Sequence, residues 1–137
     1  MISSAIKTLS GNDLGLTMSH QAGFLIPKVF IREGLFESLP NTEKNPRRHL
    51  QFMDLDIDSV FIVNFIFYNN KLFQGTRLEY RLTGLTRWLK DKGLRVGDSI
   101  EIARISRVDY TIKAIKAPRQ AKKLSEESWT AIYGKAK

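Results

Sequence analysis

Arg77, Glu79 and Arg81 stand at alternate positions of the stretch GTRLEYR, with Thr76, Leu78 and Tyr80 interleaved. Alternate side chains of a strand share a face, so two cations and a carboxylate would form one row. An arginine fork fits guanine O6 and N7, and a carboxylate accepts from cytosine N4. Such a row can therefore read G·C pairs, at about 1 to 3 kcal/mol per good contact. The same row also suits a solvated sheet face, whose ion pairs contribute about 0.2 to 1 kcal/mol each.

A second cluster lies in NDLGLTMSHQAG, which gathers Asn12, Asp13, Thr17, Ser19, His20 and Gln21 among glycines. These are donors and acceptors on a loop, suited to base edges or phosphates. An ordinary polar loop closed by an Asx turn has the same composition. Asp54, Asp56 and Asp58 form a third candidate, because on one strand face they could hold Mg²⁺ for phosphodiester hydrolysis. The alternative is the outer face of an edge strand entering a turn. A calcium loop is excluded, since Ser59 and Phe65 stand where that motif needs Gly and Glu. His20 and His49 have no carboxylate at a fixed spacing that would complete a metal site. Trp88 and Trp129 can stack on bases, but Trp88 at a helix start is expected to anchor the core.

The chain has no GxSxG elbow, HExxH pair or P-loop, and no Pro-Asp followed by Glu-x-Lys at nuclease spacing. It also has no cysteine, which removes disulfides, thiol catalysis and cysteine zinc sites. Its 137 residues, 42% hydrophobic, suit one domain with a tail. A formal charge of +8 favours an anionic partner. The longest apolar run, residues 60–67, is interrupted by Asn64 and falls far below spanning length, and no signal pattern opens the chain. A soluble, cytoplasmic protein with no membrane partner is expected.

The elements that must position these residues read mainly as β. Strands are expected at residues 5–10, 49–57, 59–68 and from 72 onward, the last antiparallel to its predecessor, with further strands after the turn at Val96, Gly97 and Asp98 and at residues 109–116, while residues 24–26 form a short apolar stretch. Pro27 opens a helix-spaced segment over 28–39, and a short helix is expected at 86–92 with a stop at Gly93. The domain is taken as 1–117. Residues 118–137 then form a basic tail or linker, with Ser125 positioned to start a C-terminal helix through Tyr133.

Together, LSGNDLGLTMSHQAGFLIP (residues 9–27), FQGTRLEYRLT and LTRW resemble the N-terminal effector-binding domain of EcoRII-type restriction endonucleases, over about residues 5–88. WLKDKGLRVGDSIEI is similar to the end of plant B-three domains, which share the DNA-binding pseudobarrel. The resemblance implies a seven-stranded open pseudobarrel with two short helices that grips the major groove between an N-terminal arm, residues 11–21, and a C-terminal arm, residues 75–81. It places Lys7, His20, Arg77, Glu79 and Arg81 on positions that matter for DNA in the family. It departs at Gly75 and Tyr80, where the family member carries lysines, and residues 83–85 look like an insertion lengthening the hairpin.

The implied partner is double-stranded DNA, with C-C-(A/T)-G-G as the expected site, bound by a monomer. The implied setting is a prokaryotic type II restriction endonuclease with its nuclease domain elsewhere in the polypeptide. Mg²⁺ belongs to that nuclease, and this stretch is expected to need no cofactor and to perform no catalysis. A stand-alone pseudobarrel regulator and a small Mg²⁺ nuclease using Asp54, Asp56 and Asp58 are the alternatives.

Overall fold

A computed structural model describes residues 1–15, 23–116 and 129–133. Strand β1 (Ile2–Thr8) begins and ends earlier than the expected segment, and it ends at Thr8 because the chain turns there. Leu9 N–H donates to the Asp98 carbonyl at 2.8 Å, and Ser10 and Asp13 cap each other's backbone at 2.9 and 3.3 Å. After β2 (Phe24–Ile26), helix α1 is a single turn, Lys28–Arg32, shorter than the spacing of its apolar residues implied. Gly34 takes φ +89°, ending the helix, yet Leu35, Phe36 and Leu39 still reach the core from the loop that follows.

Strand β3 (Arg47–Asp54) stops short of the expected residue 57. Asp54 Oδ1 accepts the Asp56 N–H at 2.9 Å and Asp58 N–H donates to the Asp54 carbonyl at 2.8 Å, so the chain is already turning. Strand β4 (Ser59–Tyr68) has the expected bounds. Strand β5 (Glu79–Thr83) pairs antiparallel with it, Phe67 opposite Tyr80. Thr83, Gly84 and Leu85 lead from β5 into helix α2 (Thr86–Asp91) and so do not lengthen the hairpin. β6 (Ser99–Arg104) and β7 (Asp109–Ile115) follow.

Where a C-terminal helix was expected, Trp129–Tyr133 is strand β8, paired antiparallel with β1. Long-range pairing overrides the local helix signal here. β1 already pairs with β6 on one side, and β8 supplies partners for the backbone groups on the other. Ser125 itself lies outside the described residues.

The described strands make one eight-stranded sheet in the order β2-β5-β4-β3-β7-β6-β1-β8, antiparallel except for the parallel β3–β7 pair. The sheet curls until its two edge strands meet. Trp129 Nε1 of β8 donates to the Leu25 carbonyl of β2 at 3.1 Å, and its ring meets Phe24 and Phe30 edge-on at 6.5 and 5.2 Å. An aromatic column fills the interior: Phe36 stacks on Phe65 and Tyr110 at 4.9 and 5.1 Å, and the Tyr110 hydroxyl donates to the Leu35 carbonyl at 2.6 Å.

Trp88 is the core anchor expected of it, stacked on Phe61, and its Nε1 donates to Asp54 Oδ2 at 2.8 Å. Lys92 Nζ reaches the same oxygen at 2.7 Å. Burial favours the neutral form of the Asp54 carboxyl, but the hydrogen bonds from Lys92, Trp88 and the Asp56 backbone outweigh it and hold its pKa below the usual range. The stability so gained is fully present above the unfolded value of about 3.9 and is lost as pH falls through the lower folded value. Urea denaturation across a pH series should show Asp54→Asn destabilised by about 2 kcal/mol at neutral pH. The variant should lack much of the wild-type acid decline.

Candidate nucleic-acid interface

The C-terminal arm is built on asparagines. Asn69 is fully buried: its Oδ1 accepts the Asn45 N–H at 2.7 Å, its own N–H donates to Asn45 Oδ1 at 3.2 Å, and its Nδ2 donates to the Glu43 carbonyl at 2.8 Å. The loop before β3 is thereby clamped to the root of the arm. A one-turn 3-10 helix, Asn70–Phe73, comes next, and its first residue organises the tip. Asn70 Oδ1 accepts the Arg77 N–H at 2.6 Å, and the Asn70 carbonyl accepts the Gly75 N–H at 2.6 Å. A Cβ on Gly75 would lie 2.6 Å from Asn70 Cγ and 2.8 Å from its carbonyl oxygen. The glycine that departs from the family pattern is therefore required by the Asn70 turn.

Strand geometry begins only at Glu79, so Thr76 and Arg77 belong to the turn and not to a continuous strand. The row nevertheless forms. Arg77 Nη2 lies 3.1 Å from Glu79 Oε2, and Arg81 Nε donates to the same oxygen. The Arg77 guanidinium sits over the Tyr68 ring at 3.9 Å. Burial favours the neutral form of the Glu79 carboxyl, but the bonds and charges of Arg81 and Arg77 outweigh this and lower its pKa, so it is ionised at neutral pH. Both arginines use Oε2, leaving Oε1 without a hydrogen-bond partner among the described residues.

Three expected contact residues do not present themselves. Arg81 is 4% exposed, because besides Glu79 it donates through Nη1 to the Gly23 carbonyl at 3.2 Å and so ties the start of β2 to the C-terminal arm. Tyr80 is 7% exposed, stacked on Phe67 at 4.3 Å and Phe65 at 5.3 Å, so it supports the arm from inside. Lys7 is 1% exposed, its Nζ 3.2 Å from Asp13 Oδ2, at the foot of the N-terminal arm. Each is held by an interior partner that a purely periodic reading cannot see. Thr76 is exposed, and Asn12 begins the N-terminal arm, its carbonyl accepting the Gly15 N–H at 3.1 Å. Thr17, Ser19, His20 and Gln21 lie outside the described residues.

The aspartate triplet does not assemble as a metal site. Asp54 is buried and engaged by Lys92 and Trp88, and Asp56 and Asp58 follow in a turn instead of sharing its strand face. Among the described residues, no trio of His, Asp or Glu is grouped to hold a metal ion. His49 is exposed on β3 opposite Asn64. No described helix is long and apolar enough to cross a membrane.

The interface missed by pattern reading is the scaffold: Asn45, Asn69 and Asn70, whose only sequence signal was turn propensity, and Tyr68 beneath Arg77. Gly75→Ala should disturb this turn locally. Amide exchange at Arg77 and Gly75 should accelerate by about tenfold or more, while amides inside β4 and β5 keep their protection.

Among the described residues, the curled sheet, its two short α-helices and the C-terminal arm at its rim have the architecture of a pseudobarrel. Residues 2–94 match the family described as restriction endonuclease EcoRII, N-terminal, and the chain belongs to that family. It is 36% identical over 96 residues to the type II restriction enzyme EcoRII of Escherichia coli, covering 66% of this chain and 22% of that enzyme. The same fold recurs in the Arabidopsis FUS3–DNA complex, with a TM-score of 0.60 and 23% identity over 82% of this chain and 96% of that one. It recurs in the N-terminal domain of Helicobacter pylori LlaJI.R1, at 0.60 and 10% identity over 98% and 100% of the two chains. The UbaLAI restriction endonuclease B3 domain with cognate DNA scores 0.51 at 17% identity, over 82% and 67%.

Proposed function

We propose that this chain recognises double-stranded DNA sequence-specifically, with its two arms in the major groove. In this reading it is the effector or targeting domain of a type II restriction endonuclease, with the nuclease domain in another part of the same polypeptide. The chain binds as a monomer and does not itself cleave. Family membership supports this, as does the fold it shares with domains whose structures are DNA complexes.

The observation that carries the reading is the pairing at Glu79. Two arginines keep it ionised through one oxygen while the other oxygen has no partner among the described residues, which leaves an acceptor suited to a cytosine N4 donor. Arg77, the more exposed of the two arginines, is the guanine reader. Releasing it from Glu79 costs a partly exposed ion pair, about 0.2 to 1 kcal/mol, against about 1 to 3 kcal/mol gained at guanine. Arg81, Tyr80 and Lys7 position the arms. Thr76, Asn12, Thr17, Ser19, His20 and Gln21 supply base or phosphate contacts, and Asp13 acts through Lys7.

The target is C-C-(A/T)-G-G or a related G·C-rich site. At near-physiological salt with competitor DNA, that duplex should bind at least about a hundredfold more tightly than a scrambled one, one chain per duplex. Arg77→Ala and Glu79→Gln should each lower specific affinity by about 1 to 3 kcal/mol, and His20→Ala should weaken specific more than non-specific binding. Equal affinity of the two arginine and glutamate variants with wild type, by fluorescence anisotropy, would remove the C-terminal arm from the readout.

A further inference from the structure

Beside the C-terminal arm lies an open groove of about 460 Å³, lined by Leu25 and Ile26 of β2, Lys28, Val29 and Arg32 of α1, and Leu78 and Glu79. α1 is anchored by Phe30, which is buried against Trp129. That fixes which face looks outward: Lys28 and Arg32, at i and i+4, are both exposed and lie on one side of the helix. Among the described residues neither has a carboxylate partner or a hydrogen-bonded one.

Several basic residues nearer the core are already engaged. Arg48, Arg104 and Arg107 all converge on Glu37, at 3.0, 3.2 and 2.8 Å, and lower its pKa, Arg107 most strongly. Arg77 and Arg81 are committed to Glu79. The groove thus places two uncommitted cations next to a carboxylate that two arginines have already over-compensated, so its net charge is positive. It also shares Glu79 with the row assigned to base reading, so a duplex seated on that row must carry one of its backbones past this wall.

We propose that the groove between α1 and the root of the C-terminal arm is a phosphate-backbone track, in which Lys28 and Arg32 hold neighbouring phosphates of the strand flanking the recognition site. This rests on the DNA-binding reading above and extends it to residues outside both arms. Duplex DNA carries one phosphate per 3.4 Å of axis on each strand, and Cβ atoms one helical turn apart lie about 5 to 6 Å from each other, so two long side chains can reach separate phosphates. Val29, Leu25 and Leu78 line the same groove and offer an apolar wall for the two stems. Phosphate contacts fix register and carry no sequence information, so the track adds affinity without specificity.

The test compares the salt dependence of binding for wild type, Lys28→Gln/Arg32→Gln and a charge-matched control, Arg87→Gln/Lys113→Gln, which alters exposed cations of α2 and β7 outside the groove. Each protein is titrated against the C-C-(A/T)-G-G duplex extended on both sides, against the same site with no flanks, and against a scrambled duplex. For the groove variant, the slope of log affinity against log salt should become shallower by roughly 1 for each cation. Affinity for the two extended duplexes should fall together, and the cognate-to-scrambled ratio should stay as in wild type. On the flankless duplex the variant should match wild type, and the control should keep the wild-type slope throughout. Equal slopes for wild type and groove variant, or equal losses for groove variant and control, would overturn the track while leaving the arms intact. Failure of the wild type to prefer any duplex would instead overturn the DNA-reading assignment. A fall in the variant's cognate-to-scrambled ratio would also overturn the track, because it would make the cations base readers.

Discussion

Closure of the curled sheet is the constraint on which the rest depends. The edge strands β2 and β8 are far apart in sequence and in strand order, and Trp129 joins them by one hydrogen bond and one edge-on ring contact, with Phe24. A large buried aromatic of this kind is worth about 3 to 5 kcal/mol in a core, enough to decide whether a sheet of this size closes. β2 pairs directly with β5 at the root of the C-terminal arm, and closure brings β8 against β2 at the same place. α1 packs on the same tryptophan through Phe30, which sets the height of its outward face relative to the arm.

On that frame, charge is organised by burial. Lys7 and Arg81 are cations held in the interior by partners, and an unpaired charge in either place would be costly. They do not present themselves to a ligand in this structure, but their pairing fixes the feet of both arms. Arg77 differs because the Tyr68 ring and Glu79 hold it at a partly exposed site. In the proposed base-reading role, such preorganisation lowers the ordering cost on binding, since the guanidinium needs only to exchange partners. Charge runs outward from the core, from buried Lys7 and Arg81 through half-exposed Arg77 to exposed Lys28 and Arg32 on α1.

The two departures from the family pattern have different physical meanings. Gly75 is dictated by a compact turn in which Asn70 occupies the space a side chain would need, so the arm tip is held by hydrogen bonds and not by an added cation. Tyr80 continues the aromatic column of Phe65 and Phe67 into the arm's root. Both features hold the arm through contacts of its own. The groove lined by Lys28 and Arg32 places positive charge alongside.

By itself, the sequence determined the β-rich class, the bounds of β4, the antiparallel return through Glu79–Thr83, the short helix at Thr86 and the row of Arg77, Glu79 and Arg81. Those features are local: period-two alternation, β-branched runs and turn residues act over a few positions. The parallel β3–β7 pairing, the conversion of the expected C-terminal helix into β8, and the withdrawal of Lys7, Tyr80 and Arg81 from the surface were decided only by the tertiary structure. Each depends on a partner distant in sequence or on a face chosen by packing. Periodicity says that residues share a face; only the closed sheet decides whether that face meets solvent, a carboxylate or the core.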